Sequence, residues 1–405
     1  MVYRSIRLTL GRFERFFTDL HNFWLEVPKK ISSGTSFKLI TLEQADSKLI
    51  HSTEGGIESQ FFPKIVNHTN GGEIYVNVPP IEVRLVRDVS FVFGSNFLRF
   101  SNKKVIHQKI CRHESMFSDP GDQDLLSIRD NKYRLKKYEK KMHLEIVFHV
   151  TGSFSAHWGH FLAEYFPRME YLKALGGRDE KIDIVVFEQT DPHIIAVIKE
   201  VVSEFSFVRV NVVPKDVEIC CSSLYYVSND TFISDMGSIQ SPLNVLISDS
   251  SAKYLYEFGK KATQTLKVNN KLKRVFIGRS GKRNLVNYKE CLDFFTELGF
   301  TEVFPHRLSY RDKLELFANV EYVVGPGSSG FTNIIYCQKL KGVIQFFNKT
   351  RHTDMYLTKL AHLMSVPVYT LIGNEVVSSD MDSDYTINIS DIVSCLKNFP
   401  ELKKT

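Results

Sequence analysis

The sequence predicts an α/β protein made of two successive units of parallel strands and crossover helices. From about residue 143, short apolar runs such as 182–187 and 208–213 alternate with helix-length amphipathic stretches. A second series of the same kind follows a polar, helix-rich passage at 248–270. The chain's 405 residues, 43% hydrophobic and 24% charged, exceed one ordinary domain and have the composition of a folded soluble protein.

The first element lies within residues 1–36. Ile6, Leu10, Phe13, Phe17, Leu20 and Trp24 recur at steps of four and three, with Arg7, Arg12 and Arg15 on the rest of the surface and Pro28 as the stop. This is an amphipathic helix, read as packing on its own protein or a sister subunit, with membrane-surface contact through residues 1–28 as the competing reading. Next, β-rich runs at 73–78, 83–93 and 97–106, separated by Asn, Gly, Pro and Lys, predict a small sheet or cap. The basic run 132–141 reads as a solvated helical face or loop.

The first α/β unit then follows, with strands at 144–150, 182–187 and 208–213 and helices at about 156–175 and 193–205. The second has strands at 274–278, 302–304, 322–325, 343–347 and 368–372, with helices at 288–298, 310–318, a stretch ending at Cys337, and 357–364. A last helix is predicted at about 392–399. The expected division is 1–36 for the helix and 37–262 for an N-terminal domain, β-rich to about 142. Residues 263–390 form a C-terminal domain and 391–405 a closing helix. Two such units in tandem imply a cleft with ligands at the carboxyl ends of the strands.

Several functional classes are disfavoured. No apolar run approaches the ~20 residues of a membrane span, and no secretory h-region precedes small residues, so a cytoplasmic location is expected. Cys111, Cys220, Cys221, Cys291, Cys337 and Cys395 lack paired spacing, which suggests neither zinc nor disulfides. A net charge of +6 is modest for this length, and no interleaving of basic and aromatic residues argues for nucleic acid.

Three constellations carry chemistry. In the stretch Gly325-Pro326-Gly327-Ser328-Ser329-Gly330-Phe331-Thr332-Asn333, a buried strand runs into small residues and then a helix. Glycines let the backbone approach a ligand, hydroxyls of Ser328, Ser329 and Thr332 can donate, and a helix start offers unpaired N–H groups, so a diphosphate fits. The competing reading is an ordinary tight turn with a serine cap. Arg279, Lys282 and Arg283 follow the strand at 274–278 and could face the same phosphates, or form a solvated basic loop. Finally, His157, His160 and Glu164 share one face of the first long helix, with Pro167-Arg168 after them. Acid–base work, a metal site and plain structural hydrogen bonding are all open there.

Together these patches resemble glycosyltransferase family 61 over roughly residues 75–375. The matching residues are His160, Phe161, Glu164, Pro167 and Arg168; then Arg279, Arg283 and Asn287; then Leu308-Ser309, Leu314 to Phe317 and Gly325 to Asn333. Gly327 stands where the family usually has histidine, Ser328 and Ser329 replace Gly-Ala, and Gln345 stands where a glutamate often occurs. The resemblance implies a GT-B-like fold of two Rossmann-like domains, with the donor nucleotide mainly in the C-terminal one and the acceptor mainly in the N-terminal one. It further implies an inverting, metal-independent glycosyltransferase without a cofactor, using a nucleotide sugar that family habit makes UDP-linked.

On that basis Glu164 or His160 is the expected base. Donor-binding residues are Arg279, Arg283, Asn287, Gly325, Gly327, Ser328, Ser329, Gly330, Thr332 and Asn333, with His157 and Arg168 on the acceptor side. The acceptor is expected to be a glycan or lipid-linked glycan, in surface polysaccharide or lipopolysaccharide synthesis at the inner membrane face. A non-catalytic carbohydrate- or nucleotide-binding protein with the same fold is the alternative. The acidic run 380–384 (DMDSD) follows no core strand and is read as a solvated loop.

Overall fold

The computed structural model describes residues 34–402 except 62, 67–71, 109–121, 130–131, 177–178, 229–230, 234–244, 267–270, 350–355, 379 and 381. The N-terminal amphipathic helix, the membrane contact assigned to it, and Cys111 lie outside the described residues. The other five cysteines are free thiols. Among the described residues, no helix is long and apolar enough to cross a membrane.

Two sheets dominate. The first has eleven strands, and its parallel part runs in spatial order Val208–Val213, Ile182–Phe187, Lys140–Phe148, Val217–Val227. In chain order this is 3-2-1-4, the arrangement of half a dinucleotide-binding fold, whose ligand crevice opens where the order reverses, between Lys140–Phe148 and Val217–Val227. The strand Ile182–Phe187 is buried throughout, and its one charge, Asp183, is held by Arg209 at 2.9 Å and by Asn211 at 2.6 Å. A carboxylate inside a sheet needs such compensation.

Within the β-rich N-terminal region Gly56–Phe61 and Glu73–Val78 form a separate two-stranded sheet, but the remaining strands are not a cap. Glu82–Phe91 pairs antiparallel with Val217–Val227, and Phe97–Phe100, Lys104–His107, Gly34–Leu39, Lys132–Lys136 and Leu125–Arg129 extend the same sheet outward. The basic run at 132–141 is likewise no helix or loop. In Lys132–Lys136, Tyr133 and Leu135 point into an apolar cluster with Phe37, Phe97 and Val105 while the cations alternate outward, a period-two pattern the dense charge conceals. Val217–Val227, an eleven-residue central strand, was not anticipated.

The second sheet has seven strands. Thr301–Val303, Arg274–Ile277, Tyr322–Pro326, Gly342–Asn348 and Val368–Glu375 run parallel in the order 2-1-3-4-5, with Tyr385–Thr386 antiparallel at the end. The order reverses between Arg274–Ile277 and Tyr322–Pro326, so the crevice opens above Ile277 and Pro326. Lys64–Ile65, from the N-terminal region, pairs parallel with Val368–Glu375.

The sequence expects one α-helix over 156–175. The structure instead has an α-helical turn at Trp158–His160, a π-helical turn at Phe161–Tyr165 and 3₁₀ turns at Phe166–Leu175, an irregularity that accommodates Pro167. A single apolar cluster joins this segment to both sheets, running from Phe148, Phe161 and Phe166 through Leu255 and Phe258 to Val275, Ile277, Phe331 and Tyr336. The helix Asp249–Gln264 lies in the middle of that core. Its Gly259 permits the contact, since a Cβ there would collide with the Ile335 backbone.

Candidate active site

The glycine turn owes its shape to close packing. Gly325 has φ +141, and a Cβ on it would lie 2.5 Å from the Ile277 carbonyl oxygen, so the two central strands can approach only with glycine here. Gly327 donates its N–H to the Phe346 carbonyl at 2.8 Å. A side chain at Gly327 would enter the ring of Phe347, so that ring fills the space beside the turn. A Cβ at Gly330 would fall 2.9 Å from Ile277 Cγ2. The 3₁₀ helix Ser329–Tyr336 then begins, with Ser328 half-buried at its start, Ser329 exposed, and Thr332 and Asn333 buried. Asn333 donates Nδ2–H to the Gly330 carbonyl at 2.8 Å, which ties the turn to the helix.

Arg279 follows the neighbouring strand and reaches the turn directly. One guanidinium N–H donates to the Gly327 carbonyl and Nε donates to the Lys282 carbonyl at 2.9 Å. Arg283 is half-buried at φ 60, with its Nε buried and without a hydrogen-bond partner among the described residues. The described residues of the acidic run at 380–384 form a loop, as expected, with Asp380 and Asp382 exposed. It folds against this basic loop, with Lys282 Nζ 2.7 Å from Asp382 and the Asn284 N–H 2.6 Å from Asp384. Lys282 thus takes part in a surface ion pair. Asn287 is also engaged: Nδ2 donates to the Ile387 carbonyl at 2.8 Å and Oδ1 accepts from the Ile387 N–H at 3.2 Å.

The first sheet brings His160 and Glu164 together. His160 Nδ1 lies 2.7 Å from Glu164 Oε1, with the carboxylate 1% exposed and the imidazole 32%. Phe154, whose φ of 61 is costly for a residue of its bulk, stacks on His160 at a centroid distance of 5.1 Å. That platform had no signal in the sequence. The loop carrying it is pinned by buried Asn96, whose Oδ1 accepts from the Ser153 N–H at 3.1 Å. His157 stands just before the first helical turn, and burial, then the neighbouring His160, lowers its pKa. Arg168 is buried, donating to Gln108 Oε1 at 2.8 Å and the Glu164 carbonyl at 3.2 Å, so it braces the helix from inside.

The two constellations meet. A Cβ on Gly159 would lie 3.0 Å from Ser329 Cβ and 3.8 Å from Thr332 Oγ1, which sets the His160 turn against the glycine turn of the other sheet. An imidazole backed by a carboxylate thus borders a surface of backbone amides, hydroxyls and arginine. Among the described residues, no three or more His, Cys, Asp or Glu side chains gather so as to hold a metal ion. Gln345 is buried and its Nε2 donates to Thr370 Oγ1 at 3.3 Å, so it serves the sheet interior.

Residues 158–344 match the model of the family described as Glycosyltransferase 61. That span holds His160, Glu164, both arginines and the whole glycine turn. No curated protein matches the chain.

Proposed function

Because residues 158–344 belong to glycosyltransferase family 61, we propose that this protein transfers a sugar from a nucleotide-sugar donor to a glycan or lipid-linked glycan acceptor, with inversion. The observation that carries this reading is the 2.7 Å pairing of His160 with buried Glu164 on a turn that abuts the glycine turn of the other sheet.

Glu164, enclosed behind the ring, accepts from the Nδ1–H of His160 and leaves the Nε2 lone pair as the proton acceptor. His160 is therefore the base and Glu164 its positioning partner. The acceptor hydroxyl gives its proton to Nε2 as its oxygen bonds to the anomeric carbon. The carbon–oxygen bond to the diphosphate breaks with its electron pair staying on the departing phosphate oxygen. Arg279, Arg283 and the amides and hydroxyls of residues 328–330 neutralise that charge, so a divalent metal is not required. A UDP-linked donor and surface-polysaccharide or lipopolysaccharide synthesis at the cytoplasmic membrane face are the preferred setting.

A thermal-shift panel of nucleotide sugars identifies the donor, since ligand binding to the folded state raises stability. Turnover with candidate acceptors then compares wild type with His160→Ala and Glu164→Gln. Both variants should keep donor binding, and His160→Ala should lose ~10²- to 10⁴-fold in rate. Wild-type rates in both variants would remove the pair from the mechanism. The departures at Gly327 and Gln345 favour one second reading, a non-catalytic binder. Donor binding without consumption in the presence of acceptors would support that instead.

A further inference from the structure

Lys313, in the helix Tyr310–Phe317, is 2% exposed, and its Nζ stands 4.4 Å from the centroid of the Trp158 ring. It has no ion pair or hydrogen bond to any described residue. The other deeply buried lysine, Lys359, has both, meeting the Asp249 carboxylate and the Ser59 carbonyl. The buried indole N–H of Trp158 also has no hydrogen-bond partner among the described residues. Among the described residues the ammonium meets the Trp158 ring face and the field of the Asp191 carboxylate, and a cation–π contact recovers only part of the lost hydration.

The location gives this meaning. Trp158 directly precedes Gly159, which abuts Ser329. The segment leading to Lys313 follows the same seam. Pro305 lies 3.4 Å from the Cβ position of Gly330, and the Leu308 carbonyl is 2.5 Å from His193 Nε2. Across the seam the Asp191 carboxylate acts on Lys313 and His193 stands edge-on to the Trp158 ring, and the Asp191 carboxylate already accepts from the His193 N–H at 2.8 Å and lies 2.6 Å from its Nδ1. On its own helix, Arg311 pairs with Glu315 at the surface and Asp312 caps the helix with Ser309. Ser329 and Thr332, on the 3₁₀ helix beyond, are neutral.

We propose that Lys313 is an anion-binding residue of the donor site, its ammonium taking an oxygen of the nucleotide sugar's diphosphate, with the Trp158 N–H as a second donor at the same seam. The inference rests on the donor reading above and adds a residue to it. Burial holds the Lys313 pKa down to about 8, with Asp191 opposing the shift. An incoming phosphate raises it again, so binding near pH 8 draws a proton from solvent.

The test uses the full chain and a panel of uridine, guanosine, cytidine and thymidine diphosphates. Calorimetric titration at pH 8 in two buffers of different ionisation enthalpy should report uptake of up to about half a proton with the diphosphate that binds best, because a group at its pKa is half protonated. Lys313→Met should abolish that uptake and weaken binding about ten- to one-hundred-fold, the range a charge-assisted hydrogen bond supplies. It should also raise the Tm of the free protein by removing a charge that burial disfavours. Unchanged affinity in the variant, or no uptake by wild type, overturns the assignment while leaving the donor reading intact. If no diphosphate binds wild type, both fall.

Discussion

Placing histidine at position 327 should destabilise this protein, by an amount set by Phe347. A new Cβ would fall within the ring, with even Cδ1 only 2.8 Å away. Carbon atoms settle at about 3.5–4.0 Å, so the ring would have to withdraw by on the order of 1 Å. Little can yield. Phe347 sits in the central strand Gly342–Asn348, paired with Val368–Glu375, and the Gly327 N–H is itself bonded to the Phe346 carbonyl. Overpacking of this kind costs about 1–3 kcal/mol. Urea unfolding of Gly327→His should show that loss, and Phe347→Leu introduced with it should return much of it, with a coupling of about 0.5–3 kcal/mol. Two effects that add within about 0.5 kcal/mol, or a Gly327→His protein as stable as wild type, would refute the claim that the ring excludes a side chain here.

Three further outcomes follow from the same geometry. Arg279→Ala should weaken nucleoside diphosphate binding about ten-fold or more in a titration, and Arg279→Lys should not restore it, because the fork that reaches both Gly327 and Lys282 carbonyls is lost. Asn287→Ala should cost about 1–3 kcal/mol in urea with nucleotide affinity unchanged, since its amide serves the Ile387 backbone. Lost affinity at unchanged stability would instead return Asn287 to the donor site. His149 is fully buried, and burial, then Arg168, holds its pKa well below the ordinary 6.5. The unfolded chain therefore binds the proton first, and stability should fall as pH drops below about 6.5, by at most about 1.4 kcal/mol per unit for this group. Equilibrium unfolding between pH 7 and 5 should show a shallower slope in His149→Leu.

Much of the fold was legible because continuous apolar runs mark strands and one-sided burial leaves a helical period. Ile182–Phe187 and Val208–Val213 were read to the residue, as was the start of Tyr310–Phe317. Val217–Val227 escaped because Glu218, Ser222 and Ser223 interrupt its apolar pattern, and what licenses Glu218 there is contact with Arg99 and Ser90 on other strands. The residue types of the site were visible, but their partners were not. That Glu164 lies behind His160, that Lys282 pairs with Asp382 at the surface, and that Arg168 faces inward are consequences of tertiary contacts. Lys313 illustrates the limit best, since a lysine in an amphipathic helix reads as a surface residue until the helix is seen against Trp158.

The short strand Lys64–Ile65 has a consequence for how the protein can be divided. The chain lends two residues to the second sheet before it has laid down the long strands of the first, then returns to finish the second at Val368–Glu375. The family-matched stretch, by contrast, begins after Lys140–Phe148 and stops inside Gly342–Asn348. Excised alone, it would carry two torn sheets with raw edges and no complete core. What is recognisable in this chain is therefore not what is autonomous, and neither recombination nor a cloning boundary can pass the activity on without the wrapping that lies outside the match.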